Sequence, residues 1–117
     1  MNEELKQNRN YLHKAFKRAS ELFVQETVRT PCNKDVIANR FKYLEDVSDR
    51  LFLLEEQVRN DLLIRKVSEE EFENELDKAE QFKELLIEHR STFEKMVEQE
   101  AASEIVSASS INNGKSK

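Results

Sequence analysis

The sequence predicts an all-α fold, an elongated antiparallel three-helix bundle or coiled coil, on three observations. The 117 residues include one glycine, Gly114, and one proline, Pro31, whereas a sheet protein needs several glycine-based turns. Charged residues make up 37% of the chain and apolar residues 38%, which is typical of long helices with a narrow apolar stripe. Apolar residues also recur every three or four positions in three separate segments.

The first segment, from about residue 2 to residue 29, combines an apolar face with a basic face. Leu12, Phe16 and Phe23 recur on one side of the predicted helix, so we expect them in the core. The other side carries five basic residues: Lys6, Arg9, Lys14, Lys17 and Arg18. Three of them form a candidate anion-contact surface: Lys14, Lys17 and Arg18.

The second segment, from about residue 31 to residue 66, has the longest apolar stripe of the chain. Thr30 is a suitable N-cap, and Pro31 is favoured at the first helical position. The stripe is typical of a helix that packs against other helices. Its predicted core members are Ile37, Phe41, Leu44, Leu51, Leu54, Val58 and Leu62.

Three apolar residues of this segment lie off its stripe. Phe52, Leu53 and Ile64 do not share the spacing of the predicted core. Because apolar side chains left outside a core can contact another chain, we expect these three to form a partner-contact surface.

The third segment, from about residue 69 to residue 101, opens with a predicted capping box of Ser68 and Glu71. Residues 102–117 are rich in Ser and Asn, and we expect a flexible polar tail there. Connections of a few residues between helices of about 30 residues favour antiparallel neighbours. The predicted core positions of this segment are Phe72, Leu76, Phe82, Leu86 and Phe93.

Charge is distributed unevenly over the three segments. Residues 1–30 carry six basic and four acidic residues, whereas residues 68–101 carry four basic and twelve acidic ones. An acidic run on one helix is usually a solvated face, and a cation site needs carboxylates that converge from several elements. We expect Lys14, Lys17 and Arg18 of the same chain, or a basic partner protein, to offset the acidic third helix.

The inventory of residues disfavours several classes of function. A glycine-rich phosphate-binding loop needs several glycines, and the sequence has only Gly114. The single cysteine, Cys32, permits no intramolecular disulfide and no cysteine-based zinc site. The sequence does not suggest any pairing of a catalytic nucleophile with a general base. We therefore expect a protein without catalytic residues, metal or cofactor, and the single cysteine favours a cytoplasmic location, with a nuclear one as the alternative.

Two stretches resemble a known family. NRFKYLEDVSDRLFLLEEQVRNDL has leucine spacing followed by a polar face, and VSEEEFENELDKAEQFKELLIEHR joins an acidic run with Phe to a Glu-rich helix. With the helix over residues 12–28 before them, they resemble the N-terminal helical region of Gag polyproteins from BEL/Pao-type retrotransposons. The likeness spans about residues 10–100. The chain departs from downstream Gag features because it has neither a zinc knuckle nor an Asp-Ser/Thr-Gly protease motif.

The resemblance implies a non-enzymatic assembly module, which agrees with the apolar stripes. We therefore predict protein–protein association, either self-assembly or scaffolding with another helical protein. The alternative is binding of nucleic acid or an anionic membrane through the basic face of the first helix. Salt separates the two, because phosphate binding weakens steeply as salt rises, whereas association through apolar surfaces hardly changes.

Overall fold

The computed structural model describes the backbone of residues 2–116 and the side chains of residues 2–99. Three α-helices follow one another: α1 (Glu3–Thr27), α2 (Lys34–Ile64) and α3 (Glu69–Ser116). Between residues 2 and 116 no strand is formed. The predicted all-α three-helix bundle is confirmed, and its dimensions of 73 × 22 × 17 Å make it a rod.

Side-chain pairs show that α1 and α2 are antiparallel. Arg9, near the start of α1, meets Glu55 in the second half of α2. Phe23, near the end of α1, meets Phe41 in the first half of α2, with ring centroids 5.5 Å apart. Residue numbers therefore rise along α1 as they fall along α2.

The same reasoning places α3 antiparallel to α2. Phe41 stacks on Phe93, with centroids 4.7 Å apart, while Lys83 lies over the ring of Phe52. Because α1 and α3 are each antiparallel to α2, they run parallel to each other. Their side chains also meet, as the edge-on contact between Phe16 and Phe82 at 5.1 Å shows.

The core is an aromatic and aliphatic cluster to which all three helices contribute. Of the fifteen residues predicted for the apolar seam, eleven are buried. Four are half-buried: Leu12, Phe72, Leu76 and Phe93. The central cluster consists of Phe16, Ala19, Phe23, Ile37, Phe41, Leu44, Val47, Leu51, Phe82 and Leu86.

The caps agree with the prediction at α3 and differ from it at α2. The Glu71 amide donates to Ser68 Oγ at 3.1 Å, which is one of the two reciprocal hydrogen bonds of the predicted capping box. The prediction that Thr30 and Pro31 cap α2 is wrong, because α2 begins three residues later. Asn33 is the N-cap, and its side-chain oxygen accepts from the amides of Asp35 and Val36. Asn is at least as good a cap as Thr.

The turn between α2 and α3 is made without glycine. Lys66 has a positive φ of 54° and follows the C-cap Arg65. The amide of Lys66 donates to the Leu63 carbonyl, and the amide of Val67 donates to the Leu62 carbonyl. This pair of bonds is a Schellman motif, whose left-handed position is usually occupied by Gly.

Replacing Lys66 with glycine should stabilise the protein. Holding a residue with a Cβ atom in the left-handed region costs roughly 1–2 kcal/mol, and glycine avoids this cost. Part of the gain is cancelled because glycine has greater conformational entropy in the unfolded chain. For Lys66→Gly we expect the free energy of unfolding to rise by about 1 kcal/mol, measured by urea denaturation. The control Lys42→Gly, at an exposed position inside α2, should instead lower it by about 1 kcal/mol. Equal losses for the two variants would contradict the role of this turn.

The third helix is longer than the sequence predicts. The predicted end lies at about residue 101, whereas the helical backbone of α3 continues to Ser116. The flexible polar tail predicted for residues 102–117 falls where no side chain is described, and Lys117 lies outside the described backbone. At 1.5 Å per residue, the 48 residues of α3 account for the length of the rod.

Candidate functional site: the cleft between α2 and α3

A cleft opens between the second half of α2 and the first half of α3. Its volume is about 250 Å³. Apolar side chains from both helices line it, and all five are buried or half-buried. These apolar residues are Phe52, Val58, Leu62, Leu76 and Ala79.

Charged side chains surround this apolar lining. Lys83 Nζ lies 5.9 Å from the centroid of the Phe52 ring and 3.4 Å from a carboxylate oxygen of Glu80. The cleft therefore has an apolar floor and a charged edge. The charged residues that line it are Glu55, Glu56, Arg59, Glu75, Glu80 and Lys83.

Behind the cleft, a buried polar cluster joins all three helices. Arg9 of α1 is only 5% exposed; its Nε donates to Glu55 Oε1 of α2 at 2.9 Å, and its Nη1 donates to Glu75 Oε2 of α3. His13 Nε2 lies 3.0 Å from Glu55 Oε1, and Lys78 Nζ lies 3.3 Å from Glu75 Oε1. Because Glu55 and Glu75 also line the cleft, this cluster forms its inner wall.

The cluster keeps its carboxylates ionised. Burial alone would raise the pKa of Glu55, but hydrogen bonds and charge from His13 and Arg9 outweigh it and lower that pKa. Burial alone would also raise the pKa of Glu75, but hydrogen bonds and charge from Arg9, and then from Lys78, lower it. Burial disfavours the charge on Arg9, yet the two carboxylates raise its pKa overall. Arg9 is therefore ion-paired with Glu55 and Glu75 at neutral pH.

Two strongly exposed apolar side chains extend the cleft along its helices. Leu63, 60% exposed, lies four residues after Arg59 and seven after Glu56, on the same helix face. Ile87, 63% exposed, is placed in the same way relative to Lys83 and Glu80. An apolar path therefore continues from both ends of the cleft.

The predicted partner-contact residues relate to this site in different ways. Phe52 lines the cleft and packs against the core, so it is less available than its sequence position indicates. Leu53 and Ile64 are 62% and 80% exposed, but neither lines the cleft.

Known proteins resemble this chain too little to identify it. No family model, curated protein or solved structure matches it. The resemblance to BEL/Pao-type Gag polyproteins stays a prediction from the sequence, and the function has to be argued from the geometry.

The predicted anion-contact residues lie on the outside of α1. Lys14, Lys17 and Arg18 are exposed, and among the side chains of residues 2–99 none of the three forms an ion pair with α3. The ion pair between α1 and α3 is made by Arg9 with Glu75 instead, and offset of the acidic helix by a basic partner protein stays a prediction. Lys17 instead lines a groove of about 260 Å³ between α1 and α3, together with Lys78.

The sequence pattern places Arg9 on the solvent side and does not single out Glu55, which is buried, or Glu75, which is half-buried. The feature of the sequence that points to these residues is their position in the apolar stripes, not their residue type. Arg9 lies seven residues before Phe16, Glu55 four after Leu51 and Glu75 seven before Phe82, so all three occupy places in the apolar stripes. Three charged residues at stripe positions on three helices indicate a buried ion-pair cluster.

The described part of the chain offers no metal site or membrane span. Within residues 2–99, no three His, Cys, Asp or Glu side chains converge as metal ligands would. Over the described residues, none of the helices has an apolar stretch long enough to cross a bilayer. Cys32 is exposed in the connection between α1 and α2.

Acid should destabilise the protein in two stages. Burial lowers the pKa of His89 from 6.5, and the charge of Glu88 opposes this only in part. Ser20 Oγ is hydrogen-bonded to His89 Nε2 at 2.5 Å. Stability should therefore fall as pH decreases below 6.5, because the unfolded chain binds a proton that the folded chain resists. Glu55 and Glu75, with lowered pKa values, add a second loss below their ordinary value of 4.5.

Thermal melts from about pH 8 to about pH 3 test this. In His89→Gln, which keeps a hydrogen-bonding group for Ser20, the first stage should disappear and the second should remain. A melting temperature that still falls between about pH 6.5 and pH 5 in this variant would exclude His89 as the group responsible.

Proposed function

We propose that this protein is a protein–protein association module whose α2/α3 cleft receives a helix of another chain. The observation that carries the proposal is the apolar floor of the cleft inside a charged edge, extended by Leu63 and Ile87. A buried apolar centre with a polar rim is the usual arrangement at protein interfaces. The groove between two helices is also the surface on which an amphipathic helix binds.

The dimensions favour side chains over a small-molecule ligand. At about 250 Å³, the cleft falls below the roughly 300–1,000 Å³ of small-molecule sites. The ionisable groups behind it, Arg9, Glu55 and Glu75, are engaged in ion pairs with one another. The cleft is therefore suited to one or two large apolar side chains presented by a partner.

The charge near the cleft favours a basic partner. Residues 69–80 of α3 include seven acidic residues and one lysine, and two of the acidic residues, Glu73 and Asp77, are exposed seven and three positions before the cleft residue Glu80. A helix with lysine or arginine beside its apolar stripe complements this surface. Such a role agrees with the assembly function that the Gag resemblance implies, and a cytoplasmic location remains part of the proposal.

A synthetic amphipathic peptide tests the proposal. The probe has leucines spaced three and four apart on one side of about five helical turns and lysines elsewhere. Calorimetric titration into the full chain should show saturable binding. Leu63→Lys combined with Ile87→Lys should weaken it about tenfold or more, because both apolar extensions of the cleft become basic.

Leu53→Lys is the matched control, since Leu53 is 62% exposed and lies away from the cleft. It should bind the peptide as the wild type does. A peptide of the same composition with its leucines scattered should bind weakly. Equal affinity for both peptides, or equal losses in the cleft and control variants, would reject a helix-binding cleft.

A second candidate function is anion binding in the groove between α1 and α3. It is favoured because Lys17 of α1 and Lys78 of α3 line the same groove. A fluorescent single-stranded oligonucleotide should then bind with steep salt dependence, and Lys17→Glu with Lys78→Glu should abolish the binding. Salt-independent or undetectable binding by the wild type would remove this candidate.

A further inference from the structure

One chain carries two surfaces that complement each other. The cleft between α2 and α3 is apolar with an acidic flank, as described above. The outer face of α1 presents the opposite combination. Tyr11, 70% exposed, is followed on the same helix face by Lys14 and Arg18, three and seven residues later, and both are exposed.

Tyr11 has the properties of an interface anchor. Tyrosine is enriched at the centres of interfaces because its ring is large and rigid and its hydroxyl can form a hydrogen bond. The cleft, at about 250 Å³, has room for a ring of this size. Glu56 and Glu80 at its edge can accept hydrogen bonds from the hydroxyl and from the flanking cations.

A single copy cannot bring these two surfaces together. Arg9 points inward, to the wall behind the cleft of its own chain. Tyr11 follows two residues later, about 200° round the helix, and therefore faces away from that cleft. The contact requires a second molecule.

Resting on the proposed function, we infer that the occupant of the cleft is the outer face of α1 of a second copy of this chain. Each copy offers one α1 face and one cleft, so the contact is heterologous, between two different surfaces. Such contacts produce rings when the rotation closes and open chains when it does not. Lys14 and Arg18 complement the acidic flank of the cleft in charge, whereas two acidic flanks would repel each other.

Sedimentation velocity of the full chain over a range of concentrations tests the inference. The wild type should show reversible self-association that weakens as salt rises from about 0.05 M to about 0.5 M, because screening reduces the attraction between α1 and α3. Tyr11→Glu should weaken the association about tenfold or more, and so should Leu63→Lys with Ile87→Lys. Circular dichroism melts verify that each variant is folded, as the exposure of all three side chains favours.

Mixing the two defective proteins is the decisive step. Tyr11→Glu retains an intact cleft, and Leu63→Lys/Ile87→Lys retains an intact α1 face. In a heterologous contact these two form a one-to-one dimer that neither forms alone and that grows no further. A symmetric contact between identical surfaces would not be restored by mixing, and that result would overturn the inference.

The peptide titration keeps the two proposals separate. A chain that is monomeric at every concentration but binds the amphipathic peptide in its cleft would exclude self-association and leave the association module intact. A chain that neither self-associates nor binds the peptide would refute both. Self-association that Lys14→Glu and Arg18→Glu leave unchanged would also overturn the role of the α1 face.

Discussion

Replacing Leu51 with alanine should lower the free energy of unfolding by about 2–5 kcal/mol. Leu51 lies in the middle of α2, is fully buried and belongs to the cluster that joins the three helices. The substitution removes apolar surface and leaves a cavity that tightly packed neighbours fill only in part. Chemical denaturation monitored by circular dichroism measures the loss.

Leu53→Ala is the control for this prediction. Leu53 is the same residue type, two positions further along the same helix, and is 62% exposed. Its removal should change the free energy of unfolding by about 0.5 kcal/mol or less. An unchanged melting temperature for Leu51→Ala, or equal losses in the two variants, would contradict the assignment of the core.

Replacing Arg9 with methionine should destabilise the protein by about 3–5 kcal/mol. Methionine keeps much of the volume of the side chain but leaves the carboxylates of Glu55 and Glu75 without their shared cation. A buried charge that loses its partner costs much more than the pair contributed when intact. Urea denaturation at neutral pH measures this loss.

The pH dependence separates lost charge from lost packing. In the wild type, Glu55 and Glu75 stabilise the fold above their ordinary pKa of 4.5. Without Arg9 their burial favours the protonated form, so the difference between variant and wild type should shrink as pH falls. Arg50→Met removes an exposed pair with Asp46 and should cost about 1 kcal/mol or less. A loss for Arg9→Met that is constant with pH would indicate packing alone.

The sequence predicts most of the fold because its helices are long and strongly periodic. The predicted starts of α1 and α3 lie within one residue of the observed ones. Apolar spacing indicates the first start, and a capping serine indicates the second. The start of α2 was misplaced because Thr30 and Asn33 are both good caps, and local preference cannot choose between them. The end of α3 could not be predicted from an apolar stripe, because the polar composition of residues 102–116 carries no such stripe.

The candidate site was harder to predict than the core. Charged residues are assigned to the surface by type, and this rule failed for Arg9, which is buried because two carboxylates from other helices surround it. The choice of Leu53 and Ile64 correctly identified exposed apolar residues, but it overlooked Leu63 and Ile87 beside the cleft. Which exposed residues border a cleft depends on how α2 and α3 are rotated against each other, and no single helix encodes that.

The parallel arrangement of α1 and α3 has a mechanical consequence. The chain enters the rod at the end where α3 begins and leaves it at the far end, whose distance is set by a molecule 73 Å long. A protein attached before α1 and another attached after α3 would be held apart by the rod instead of side by side. A force applied between two such attached proteins would be directed along the helix axes.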